Sequence, residues 1–241
     1  MEYTEFEALF RVACAKNNLP SPVDDEINTF YHFTKHLLKT NETTNLTAIR
    51  SIPDVIYKHC IDSLLVSAHI SEGARVLDVG CGPGFPSIPL AIMRPDLSIT
   101  ALDSTAKKIA FVQESGKNFN LSNLTAISGR AEEAATLKKL GAFDIVVSRA
   151  VARLNVLCEL CIPYLKINGR LIALKGAKAQ EELDEAQNAI NKLGGKVTNL
   201  HKTVLCTDAE QEARGLIEIV KINPTPQKYP RAYAAILKKP L

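Results

Sequence analysis

No stretch of the 241-residue sequence is apolar and unbroken for long enough to cross a bilayer. The opening residues, MEYTEFEALF, lack a cationic start followed by an apolar run, so no secretory signal is expected. Six cysteines stand at 14, 60, 81, 158, 161 and 206, but only Cys158 and Cys161 form a C-x-x-C, and no second pair completes a zinc site. That pair lies in VLCELCIPYL, an apolar run that reads as helix, so buried thiols in a reducing cytoplasm are the expectation. Neither sign of charge dominates: a formal net charge of +3 and a pI near 8.5 do not announce a nucleic-acid binder. Internal repeats and low-complexity tracts are absent. One local imbalance remains. From Ile219 to the end, Lys221, Lys228, Arg231, Lys238 and Lys239 meet no acid, which suits either a solvated terminus or contact with RNA phosphate. A chain this long can bury a sizeable core as one domain, with or without an appendage.

The informative stretch is Val76 to Pro89, VLDVGCGPGFPSIP. Val76, Leu77 and Val79 read as a buried strand, then comes a glycine-dense turn, then a helix opens. Pro86 and Pro89 suit that helix's first turn, and Pro95 stops it. Gly80, Gly82 and Gly84 can take positive φ and let a ligand approach the backbone. Strand, turn and helix together predict a cofactor cradle at the C-terminal end of a parallel strand. A glycine turn alone is weak, since a strand-to-helix turn without ligand looks the same. The dinucleotide fingerprint is G-x-G-x-x-G, whereas here the spacing is G-x-G-x-G with Phe85 in place of the third glycine. Asp78, two residues before the first glycine, would present an acceptor-only carboxylate, awkward for pyrophosphate and useful for an ammonium. S-adenosylmethionine, with an ammonium, a sulfonium and no phosphate, is the expected cofactor. A nicotinamide-dependent oxidoreductase is disfavoured on the same two residues.

Upstream, two helical patterns occupy residues 1 to about 42. Phe6, Leu9, Phe10 and Ala13 line one; Ile27, Phe30, Phe33, Leu37 and Leu38 line the other, whose first turn holds Asp24, Asp25 and Glu26. They are expected to cover one side of a sheet. His59, Asp62 and Ser63 share a helical stretch. A hydrolytic triad is rejected, because a nucleophile needs an exposed turn and not a mid-helix seat, which leaves a polar cluster near the cofactor mouth.

Downstream, strands and helices alternate. Strand 98–102 ends at Asp103, where a carboxylate can accept from both ribose hydroxyls or simply serve its own turn, and Ser104 caps the next helix. Strand 124–128 leads into Ala131 and Glu132, beside the adenine. Strand 143–148 is followed by Arg149 at the crevice edge, with the methionine carboxylate, the target base, an RNA phosphate and a surface ion pair all open as its partner. A helix from about Arg153 to Leu165, a strand 170–174 ending at Lys175, a helix 179–193 and two last strands near 196–205 and 216–222 complete the pattern. The fold class is α/β: a doubly wound Rossmann-like sheet with an antiparallel final strand and an N-terminal helical cap.

Taken together, these motifs resemble a class I S-adenosylmethionine-dependent methyltransferase. More narrowly, the chain resembles the bacterial small-subunit ribosomal RNA guanine-N7 methyltransferases, the glucose-inhibited division protein B family. The residues that carry the likeness are NLTAI at 45–49, His59 with Asp62-Ser63, LDVGCGPGFPSIPL at 77–90, LDSTAKK at 102–108, GRAEE at 129–133, SRAVA at 148–152, LKG at 174–176 and the ending KYPRAYAAILKKPL. Ser87 stands where the family usually has glycine, and Ala235 occupies a tail position that is often less hydrophobic. The resemblance implies cofactor contacts at Gly80, Phe85, Ala131, Glu132 and Arg149, beside those expected at Asp78, Gly82, Gly84 and Asp103. It implies methyl transfer to N7 of a guanine in 16S rRNA, with Arg149, Lys175 and Arg231 as candidate RNA contacts and no metal. An unprotonated ring nitrogen needs no base, in keeping with the lack of an Asn-Pro-Pro-Tyr or Pro-Cys site after strand four. The expected organisation is a helical extension 1–70, a methyltransferase domain 71–223 and a basic tail 224–241, in a cytoplasmic monomer without membrane contact. A methyltransferase acting on protein or a small molecule, and a non-catalytic ribosome-assembly module, are the alternatives.

Overall fold

Apolar residues at helical spacing close α1 (Tyr3–Lys16) and α2 (Asp24–Thr44) against each other, with Phe10 and Phe30 ring centroids 4.5 Å apart. The computed structural model describes residues 1–241. Helix α2 ends at Asn45, whose left-handed conformation turns the chain away. Inside the helix, Asn41 ties down the loop that follows: its Oδ1 accepts from the Leu46 and Thr47 amides at 2.7 and 2.9 Å. A continuous helical run then comprises α3 (Ile52–Asp54), a π-helical stretch (Val55–Ile61) and α4 (Asp62–Leu64).

The sheet is seven-stranded in the order β3-β2-β1-β4-β5-β7-β6. Its parallel part is β1 (Arg75–Val79), β2 (Ser98–Asp103), β3 (Leu124–Ser128), β4 (Phe143–Arg149) and β5 (Leu165–Lys175). Between these strands run α5 (Ser87–Met93), α6 (Ala106–Asn118), α7 (Ala134–Leu140) and α8 (Leu154–Cys161). After α9 (Ala179–Lys192), β6 (Gly195–Cys206) and β7 (Gln211–Lys221) finish the sheet antiparallel, as expected. Alternate strand residues serve opposite faces. Val76, Ile99, Val147, Ile172 and Leu216 pack under α1, α2, α5 and α6, while Leu77, Val146, Leu171 and Ile219 pack under α8 and α9. Residues 1–70 therefore share a core with the sheet.

Three local expectations need correction. The helix expected to reach Leu165 stops at Cys161, because Pro163 has no N–H to continue it; a 3₁₀ turn (Ile162–Tyr164) follows and β5 begins at Leu165. Ser104 does not cap α6: Thr105 holds the N-cap position, and the nearby amide is taken by Asp103 Oδ1 at 2.7 Å. The C-terminal segment is not a free basic tail. α10 (Tyr233–Lys238) sits on α8 with Ile236 fully buried, and Lys221 is buried, donating to the Leu165 carbonyl at 2.9 Å. No helix is long and apolar enough to cross a membrane.

Candidate functional site

Strand order reverses between β1 and β4, and an open α/β sheet places its ligand crevice at the strand ends beside such a reversal. The glycine turn is anchored there by backbone: the Gly80 and Cys81 amides both donate to the Leu102 carbonyl, at 2.8 and 3.1 Å. A cavity of about 420 Å³ opens over the turn, within the usual range for small-molecule sites. Gly80, Gly82, Phe85, Asp103, Ala131, Glu132 and Arg149 all line it, so seven of the nine expected cofactor residues converge on one space.

The other two lie behind the wall. Gly84, at φ +103°, faces inward: a Cβ there would strike Ile88, and Val112 would stand 3.4 Å away. Its use is close packing between turn and helix, not ligand access. Gly82, at φ +56°, is the opposite case, with nothing within 4 Å of a Cβ. Asp78 is fully buried beneath the turn and does not point into the open cavity. Its Oδ2 accepts from the Ser87 hydroxyl and, at 3.2 Å, from the Ser87 amide, while Oδ1 has no partner. Burial pushes this carboxyl up to about 7, against the lowering effect of the two Ser87 hydrogen bonds. Ser87, the departure from the family pattern, is thus the residue that holds Asp78.

Asp103 accepts the Gly82 amide through Oδ2 at 3.0 Å and the Thr105 amide through Oδ1 at 2.7 Å. It serves its turn, and each oxygen keeps a second lone pair toward the cavity. Ala131 is fixed from behind, its carbonyl accepting from the Tyr164 hydroxyl at 2.9 Å. On the far wall, Arg149 spends three of its five N–H groups within the protein. Nη1 donates to the Lys58 carbonyl (2.8 Å) and Asp62 Oδ2 (2.9 Å), and Nη2 donates to His59 Nδ1 (3.1 Å). Arginine only donates, so His59 Nδ1 carries the lone pair and the neutral ring has its proton on Nε2. That proton goes to Thr47 Oγ1 at 2.8 Å. Burial, then the Arg149 charge, pull His59 down to about 3, which keeps the ring neutral. The ring stacks on Phe85, centroids 4.2 Å apart. Phe85, expected from the resemblance as a cofactor contact, is the platform for the polar cluster. Ser63 is fully buried and lines neither hollow, so no triad forms.

A second hollow of about 410 Å³ adjoins the first and shares the Arg149, Ala150 and Val151 wall. Five of its ionic groups pair with one another. Asp62 Oδ1 accepts from Arg214 Nε at 2.7 Å while its Oδ2 holds Arg149, and Glu182 Oε2 lies 2.7 Å from Lys175 Nζ. The two other expected RNA contacts also stand in such pairings. Lys175 is buried and bound to Glu182 and to the Ala152 carbonyl; Arg231 is bound to the fully buried Glu159, with Nη2–Oε2 at 2.6 Å. Releasing either cation would leave a carboxylate without its partner in a low-dielectric site, a cost of about 3–5 kcal/mol. Thr47, Lys108, Arg130 and Tyr233 of the cavity wall and Arg214 of the second hollow were not singled out from the sequence.

A model of the family described as rRNA small subunit methyltransferase G (GidB) matches residues 26–211. Relatives named Ribosomal RNA small subunit methyltransferase G include one from Lactobacillus delbrueckii subsp. bulgaricus, 39% identical over 97% of this chain and 98% of its own length. Another, from Clostridium perfringens, is 41% identical over 90% and 92%, and one from Deinococcus radiodurans is 43% identical over 83% and 80%. Among solved structures, an O-methyltransferase from Bacillus cereus in complex with SAH is similar in fold, with a TM-score of 0.57 at 17% identity over 91% of this chain and all of that one. TYW2 of M. jannaschii in complex with AdoMet is similar with a TM-score of 0.54 at 18% identity over 68% and 76%.

Proposed function

We infer the reaction from the family: this chain belongs to the rRNA small subunit methyltransferase G family, and it is an S-adenosylmethionine-dependent methyltransferase of small-subunit ribosomal RNA. The acceptor in our reading is N7 of a guanine. The observation that carries it is the pair of hollows separated only by the Arg149–Val151 turn, one shaped by a glycine loop and the other lined by paired charges.

The residues fit the methyl donor. The open side of Gly82 leaves room for a ligand against backbone, and the free lone pairs of Asp103 suit hydroxyl donors. In this reading Ala131 and Glu132 flank the adenine, and Phe85 and Arg149 close the methionine end. When bound, that cofactor supplies an electrophilic methyl on sulfonium; the protein supplies position. Holding the two reactants in line accounts for roughly 7–11 kcal/mol of a barrier.

No base is needed, since guanine N7 is an unprotonated acceptor. The wall agrees: His59, the one imidazole there, has its only lone pair occupied by Arg149, and Asp62 has both oxygens on arginines. In A-form RNA the N7 edge lies in a deep, narrow groove, so the guanine has to be turned out to reach the second hollow. Nucleoside mass spectrometry of small-subunit RNA from a deletion strain tests the reading. Loss of one 7-methylguanosine, restored by the purified enzyme and S-adenosylmethionine, is expected. Unchanged 7-methylguanosine would leave the acceptor, or catalysis itself, misassigned.

Thr47 gives a finer test. Its Oγ1 accepts from His59 Nε2 and from the Ile49 amide, so its own proton is free to point into the cavity. Thr47→Val keeps the shape and removes both roles. Affinity for S-adenosylmethionine, read by isothermal titration, is expected to fall about tenfold, the worth of one or two hydrogen bonds.

A further inference from the structure

Away from the crevice, on the sheet face that carries the N-terminal helices, three metal-ligating side chains from distant parts of the chain meet. They are His69 from the turn before β1, His201 on β6 and Glu218 on β7. His69 Nδ1 and His201 Nε2 each stand 3.1 Å from the same oxygen, Glu218 Oε1, and the ligand atoms all lie within 4.8 Å of one another. We propose that His69, His201 and Glu218 form a binding site for a divalent transition cation of the zinc type, with solvent completing the coordination.

A cation held at about 2.0–2.2 Å from two imidazole nitrogens and one carboxylate oxygen sets those atoms roughly 3.0–3.5 Å apart, the spacing already present on two edges of the triangle. The donor set is two neutral nitrogens and one carboxylate, suited to zinc and its neighbours more than to calcium or magnesium. Glu218 is buried while both imidazoles are partly exposed, so the site is backed by protein and open to water on one side. The carboxylate is held from behind: its other oxygen, Oε2, lies 3.5 Å from Arg170 Nη1. Arg170 is fixed in turn by the His69 carbonyl and the Ser71 hydroxyl, both at 3.1 Å. Such outer partners orient ligating carboxylates.

The backbone has been altered in a way that serves this cluster. Pairing of β6 with β7 slips by one residue between Val197 and Asn199, leaving Thr198 extra. Beyond the slip, Asn199 faces Glu218 and His201 faces Leu216, which puts His201 on the same face as Glu218. With the register of Lys196 and Val197 continued unbroken, His201 would lie opposite Gly215 and project to the other face. The bulge is what brings the second imidazole to the first.

The test uses the full-length protein without a polyhistidine tag and cobalt(II) and zinc(II) as probes. One cobalt per chain is expected, with the visible absorption of a low-symmetry nitrogen and oxygen site and no thiolate charge-transfer band, which separates it from the cysteines. Both His201→Ala and Glu218→Gln should lose that band. Saturating zinc should raise the Tm of the wild type by roughly 5–10 °C at a hundredfold excess over Kd, and leave the variants unmoved. Should a variant fail to fold, zinc-soaked crystals of the wild type decide by anomalous difference density between the three side chains. No binding at micromolar cation, a thiolate band, or binding that survives His201→Ala would overturn the proposal.

Discussion

Gly82→Val leaves a folded protein whose affinity for S-adenosylmethionine is lower by more than about a hundredfold, roughly 3 kcal/mol. A Cβ at this position meets no protein atom within 4 Å, so the added methyls enter the cavity and not the core. The conformation has a cost of its own, because φ is +56° and a β-branched residue there is strained by about 1–3 kcal/mol. A domain of ordinary stability, about 5–15 kcal/mol, survives that. Gly84 supplies the converse. Its missing side chain faces Ile88 and Val112, so Gly84→Ala is expected to lower stability by about 1–3 kcal/mol while the cofactor still binds. Gly82→Ala separates strain from bulk, sharing the backbone penalty but adding a single methyl. Titration calorimetry and urea unfolding on the three variants give the two readouts. Binding by Gly82→Val within a few-fold of wild type would remove the turn from the cofactor site.

How far the site was legible in the sequence follows from the range of each interaction. The strand, the G-x-G-x-G turn and Asp103 at the tip of β2 are local patterns, and they converge on one cavity. Residues whose setting depends on a partner elsewhere in the fold were less legible. The pairings of Lys175 and Arg231 were not foreseen: their partners Glu182 and Glu159 lie on α9 and α8 and reach them only in the fold. Phe85 could be named as a cofactor contact by resemblance, yet its stacking on His59 joins positions that no periodicity connects. Asp78 was expected to face the ligand, and the signal that it does not was one residue type away: Ser87, in place of the family's glycine, brings a hydroxyl to it. The early start of β5 and the bulge at Thr198 are accommodations of register, and register is set by neighbouring strands and not by the segment itself.

Asp78→Asn should change how stability depends on pH. Burial raises the folded Asp78 carboxyl to about 7 from its ordinary 3.8, so across that window the folded state keeps a proton that the unfolded chain has lost. Stability from this group is present below pH 3.8 and lost as pH rises toward 7. His59 acts in the other direction. Its folded value of about 3 lies below the ordinary 6.5, so the unfolded chain binds the extra proton, and stability from this group is full above pH 6.5 and lost as pH falls. Each slope is about 1.4 kcal/mol per pH unit, and over the shared window they cancel. The asparagine keeps the acceptor for Ser87 and removes the titration. Relative to wild type, the variant should therefore gain a few kcal/mol between about pH 4 and 7, with any cost of its unpaired amide a constant offset. The difference between two series of urea-unfolding curves isolates this one group from every other carboxylate in the chain. A flat difference would mean that Asp78 is ionised in the fold throughout.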